Sequence, residues 1–173
     1  RVKYPVPIAE GVAGVVGNKV IVVGGVTNKE GGGFRTVQEA YFLDTGKDER
    51  EWAWEALPWM EATGNKTWED YLWPIEKKAR GRAYAVAGAR SDQFYIFGGR
   101  DYAVSTDPAP ERVHQEKLDI LSDCYMLRWN GPKPVWKRLA DLPRGMSAAP
   151  SAALPVGVSH LLMVGGVSAQ YWR

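Results

Sequence analysis

Five arginines, Arg35, Arg80, Arg82, Arg100 and Arg144, sit on or beside the longest irregular stretches of this sequence. A guanidinium presents a planar fork of N–H donors that can hold a carboxylate by two parallel hydrogen bonds, so arginines gathered at one place suit an anionic ligand. Each can equally be a solvated charge or pair with a neighbouring Asp or Glu. Arg100 directly follows Gly98-Gly99 and Arg144 directly follows Leu142-Pro143, which makes these two the sharper candidates. Trp68, Tyr71 and Trp73 cluster in one irregular stretch, where they could stack on a sugar ring or cover neighbouring structure. His114 and His160 lack the spacing of a metal pair, and no metal or cofactor is called for. Cys124, the single cysteine, excludes an internal disulfide and reads as a small buried apolar residue. Asn65-Lys66-Thr67 matches a glycosylation acceptor, a common triplet.

The elements that must position these groups repeat. Val20-Ile21-Val22-Val23-Gly24-Gly25, Phe94-Tyr95-Ile96-Phe97-Gly98-Gly99 and Leu161-Leu162-Met163-Val164-Gly165-Gly166 are three copies of one device. Each is an apolar run suited to a strand buried on both faces, stopped by a glycine pair. A small-residue strand and a tight turn precede each copy. In the first two units a third strand with Tyr41 or Tyr125 follows, then a fourth with Trp54 or Trp136, ending at Leu57-Pro58 or Leu142-Pro143. The pattern predicts an all-β chain of four-stranded antiparallel units at a period too long for a single strand pair. The expected boundaries are the end of a preceding blade over 1–7, a blade over 8–59, an insertion over 60–79, a blade over 80–143 and an incomplete blade over 144–173. Short helices are expected at 67–70 and 110–120.

A glycine pair, then a tyrosine, then a tryptophan about a dozen residues on resembles the Kelch repeat, over nearly the whole chain. The resemblance implies a β-propeller, and the chain reads as a piece of one, poorly soluble or oligomeric alone because an open blade array leaves faces uncovered. Within a blade, the connections from strand one to two and from three to four share one end, and these are short. Residues 26–38, 60–79 and 100–122 share the other end. Long loops converging on one face of a rigid scaffold are where binding usually sits, so that face, with the five arginines, Trp68 and Trp73, is the expected site.

Gly81-Arg82-Ala83-Tyr84-Ala85-Val86, with Trp129-Asn130-Gly131 and Trp136, is similar to the bacterial N-acetylneuraminate epimerases, which are Kelch mutarotases. That likeness implies a carbohydrate-directed isomerase, an acidic or N-acetylated sugar as ligand, and a periplasmic or secreted setting. In that family the base is a glutamate that follows a blade's inner strand pair. Here Val26, Arg100 and Val167 follow the glycine pairs, so no catalytic residue is transferred. Two other readings stand beside it: a non-enzymatic Kelch scaffold that grips a protein or glycan, and the copper-radical galactose oxidases, whose ligand set finds no match here. A net charge of +2 with 24% charged residues of both signs leaves no polyanion footprint, so nucleic acid is not an expected partner. No apolar run is long enough to span a membrane.

Overall fold

The computed structural model describes residues 2–28, 33–58, 60, 81–101, 119–149 and 151–168. The expected helix at 67–70, with Trp68, Tyr71 and Trp73, lies outside them, as do Arg80 and His114. Of the expected helix at 110–120 only its last two residues are described, and they are strand.

Two four-stranded antiparallel sheets dominate. The first has the order β1 (Val12–Val16), β2 (Lys19–Val23), β5 (Ala40–Asp44), β6 (Trp54–Ala56). The second has the order β7 (Val86–Arg90), β8 (Gln93–Asp101), β9 (Asp119–Asn130), β10 (Lys133–Arg138). A third unit shows β11 (Leu154–Val156) paired with β12 (His160–Leu162). Residues 26–38, expected as loop, contain a ribbon of β3 (Val26–Asn28) and β4 (Phe34–Thr36). The chain is all-β in four-stranded antiparallel blades, as a propeller requires.

Strand ends are set by local features. Asp48 caps a single 3-10 turn over Glu49–Glu51 by accepting the Arg50 N–H at 2.9 Å, which keeps Trp52 out of β6. In the second blade β8 runs past its glycines through a bulge between Phe97 and Gly99, so β9 extends back to Asp119, opposite Asp101. The inner strand of the second blade begins only at Val86, because Tyr84 takes a left-handed conformation (φ 53°). Pro155 sits within β11 opposite Leu161, tolerated because β11 pairs with β12 on one side only among the described residues.

Alternation along each strand sends one side chain towards the preceding blade and the next towards the following one. Ile21 and Val23 of the first blade meet Phe94, Ile96 and Leu127 of the second, all five fully buried. Trp136 joins this layer, and its indole N–H reaches the Pro58 carbonyl of the preceding blade at 3.0 Å, so the repeat's tryptophan packs between blades as the pattern suggests. On the other face of the second blade, Val86, Phe97 and Cys124 pack against Ala153, Leu161 and Met163.

The residue before each glycine pair shows what the third unit lacks. Val23 is 0% exposed and Phe97 8%, whereas Val164 is 51% exposed, with Leu154, Val156 and Leu162 exposed on the same side. Fully burying one such side chain is worth about 1.5–3 kcal/mol. The 173-residue chain is therefore expected to self-associate with rising concentration, and Leu162→Lys with Val164→Lys to shift it towards monomer in sedimentation velocity. Undiminished association of that double variant would place the contact elsewhere.

Candidate functional site

Each unit enters its inner strand through the same backbone device. Ala9, Ala83 and Ser147 form isolated antiparallel bridges with Val26, Arg100 and Val167, the residues that follow the glycine pairs. The next residue, Glu10, Tyr84 or Ala148, is left-handed in all three units, with φ of 57°, 53° and 53°. This turn aims backbone groups across to the neighbouring unit. The Tyr84 N–H donates to the Glu10 carbonyl at 3.1 Å, and the Ala148 N–H donates to the Tyr84 carbonyl at 2.8 Å. The three residues thus form a hydrogen-bonded arc at the inner edge of the blades.

This arc lies at the end of the blades that carries the insertions, because each inner strand starts there and runs to its short turn. Below it, residues 11–13 and 85–87 with Ala149, Ser151 and Ala152 line a groove of about 300 Å³. Glycine, alanine, valine and serine make that wall, so charge at the inner edge has to come from the mouth.

Arg100 supplies it. It sits at the insertion end of β8, paired with Ile120 on one side and Ala83 on the other. Its Nε donates to Ser147 Oγ of the third unit at 2.8 Å, and its guanidinium carbon lies 5.7 Å from the Tyr84 ring centroid. Ser147 is fully buried and Arg100 half-buried. No carboxylate pairs with Arg100 among the described residues. Its neighbour Asp101 is engaged elsewhere, accepting the Thr36 hydroxyl at 2.7 Å, a bond that ties the first blade's ribbon to the second blade.

The other arginines divide. Arg82 is 1% exposed and structural: it donates to the Gly98 carbonyl at 2.9 Å and to Asp123 Oδ2 at 2.7 Å, with its guanidinium carbon 5.0 Å from the Tyr125 ring centroid. Arg35 is half-buried on β4, opposite Thr27. Arg144 is exposed on the link into the third unit. Arg80, Trp68 and Trp73 fall outside the described residues. Burial pushes the Cys124 thiol up to about 11, so it stays protonated at neutral pH, as befits a packing residue. His160 is exposed at the start of β12, in the third unit.

Sequence reading assigned no site role to Glu10, Tyr84 or Ser147. The signal was present, since Ile8-Ala9-Glu10, Arg82-Ala83-Tyr84 and Met146-Ser147-Ala148 stand at matching positions before the three small-residue strands. Among the described residues no group of three or more His, Cys, Asp or Glu is placed to hold a metal, and no helix is long and apolar enough to cross a membrane.

No protein family and no curated protein matches the sequence. Among solved structures, one titled "Structure of YjhT" aligns with 96% of this chain at a TM-score of 0.62 and 19% identity. The chain spans 41% of that structure's length. At this identity the likeness speaks for the fold, a Kelch-like β-propeller, and for nothing finer.

Proposed function

We propose that the insertion-end mouth binds a small acidic sugar, of the N-acetylated sugar-acid class, and that the chain is a carbohydrate-directed propeller of the mutarotase kind. The observation that carries this reading is Arg100, a half-buried guanidinium held by Ser147 and Tyr84 at the mouth, with no carboxylate partner among the described residues. A ligand carboxylate satisfies it, and the small-residue groove beneath leaves space for the rest of a sugar. The resemblance to N-acetylneuraminate epimerases supports the same class.

Mutarotation takes a proton from the anomeric hydroxyl and places one on the ring oxygen. The ring C–O bond opens to a free carbonyl and recloses on its other face, with no net change in atoms or oxidation state. A carboxylate near the mouth suits that proton transfer. We assign the role to Glu10, which is exposed and whose carbonyl accepts the Tyr84 N–H. The test is NMR of anomer exchange in N-acetylneuraminate. The chain should accelerate exchange, and Glu10→Gln should remove about 10²–10⁴-fold of that acceleration while sugar binding persists. Exchange at the spontaneous rate with the wild-type chain would sink the mutarotase assignment.

A second reading, a scaffold that grips a protein, is favoured by Phe34, which is 58% exposed on the ribbon beside the mouth. Under it, the wild-type chain binds no sugar and Phe34→Asp abolishes capture of the protein partner.

A further inference from the structure

A guanidinium offers two edges to a carboxylate: a side-on edge made of Nε and one Nη, and an end-on edge made of both Nη atoms. At Arg100 the first edge is taken. Its Nε donates to Ser147 Oγ at 2.8 Å. Ser147 is a firm anchor, 0% exposed, with its own N–H and carbonyl bonded to Val167 at 3.0 and 2.7 Å. Arg100 is fixed as firmly on its side, bonded to Ala83 through its N–H at 2.7 Å and its carbonyl at 2.9 Å. The Tyr84 ring, 5.7 Å from the guanidinium carbon, restricts the plane in which the group can lie. The contact joins residues 47 positions apart, Arg100 from the second blade and Ser147 from the third unit.

We infer that Ser147 is a positioning residue that locks Arg100 so that only its end-on fork is open, which makes the mouth selective for a planar carboxylate presenting both oxygens. The selectivity is set across a blade interface, so the clamp exists only when the second and third units are packed together. This inference rests on the acidic-sugar reading of the mouth and adds to it which edge of Arg100 does the binding and what holds it there.

The experiment has one ligand-free arm and one ligand arm, both on the full chain. In ¹⁵N NMR the Arg100 Nε–H should exchange slowly with water in the wild type and rapidly in Ser147→Ala, with slow exchange restored in Ser147→Thr, which keeps the hydroxyl. In titrations, N-acetylneuraminic acid should bind about five- to tenfold more weakly to Ser147→Ala, the scale of one lost hydrogen bond to a charged group's support. The neutral carboxamide of that sugar should bind all variants alike. Arg100→Lys, which keeps the charge but loses both Nε and the fork, should reduce the preference for acid over amide. Unchanged Nε–H exchange in Ser147→Ala, or acid binding by that variant as tight as the wild type's, overturns the positioning role while leaving the sugar reading intact. Failure of the wild-type chain to bind either sugar overturns the sugar reading, and this inference with it.

Discussion

Asp123→Ala is expected to lower the unfolding free energy by about 3–5 kcal/mol, the usual effect of removing one partner of a buried ion pair. The Arg82 guanidinium it faces is completely enclosed, and the pair is 2.7 Å apart. With Asp123 gone, the cation retains only the Gly98 carbonyl and the Tyr125 ring as described partners. Arg82 Nε and Asp123 Oδ1 are both buried without a hydrogen-bond partner among the described residues, so even the intact pair is incompletely satisfied. That makes an apolar replacement competitive, and Arg82→Met with Asp123→Leu should recover most of the loss. Urea unfolding of the three variants checks this. An Asp123→Ala chain within about 1 kcal/mol of wild type would mean the guanidinium is far less isolated from water than the structure has it.

Gly98→Ala is expected to cost about 2–5 kcal/mol from two additive causes. Gly98 is left-handed at φ 55°, a conformation that costs an L-residue roughly 1–2 kcal/mol. An added Cβ would also collide with the Met146 carbonyl oxygen, and such overpacking costs about 1–3 kcal/mol more. The obstacle is backbone, and that backbone is the link into the third unit: the Gly99 N–H donates to the same Met146 carbonyl at 2.8 Å. Gly24 and Gly25 meet the Arg82 carbonyl in the same way one blade earlier, with the Gly25 N–H donating at 2.7 Å. The glycine pair is thus a blade-to-blade clasp. Gly131→Ala, at a turn where an added Cβ meets nothing within 4 Å, should cost only its left-handed strain. Equal losses at the two positions would show that strain alone acts and that the clasp is absent.

The clasp explains why the fold was readable and the mouth was not. Glycine pairs are forced by a close backbone approach that any side chain would block, so they recur visibly, and with them the strand order and the Trp136 contact. The left-handed residues Glu10, Tyr84 and Ala148 are held there by the bridge immediately before each and by the backbone bonds that link the three, not by their own preferences. Three unlike residues at one structural position leave no repeated letter. Arg100 drew attention by its place after Gly99, but its partner Ser147 is distant in sequence and of a type common in any chain. Arg82 stood among the candidate arginines, because nothing local tells that Asp123 and the Gly98 carbonyl close over it. Ile8 and Met146, its counterparts in the other two units, are apolar, which is the one hint that position 82 points into packing.

The most direct test of the central claim is calorimetric titration of N-acetylneuraminic acid into the wild-type chain, Arg100→Ala and Lys133→Ala. Lys133 opens β10 at the short-turn end, away from the mouth. The account predicts that Arg100→Ala loses about 1.5–3 kcal/mol of binding free energy, the worth of a charge-assisted hydrogen bond, while Lys133→Ala binds as the wild type does. Equal affinity of Arg100→Ala and the wild-type chain would contradict it.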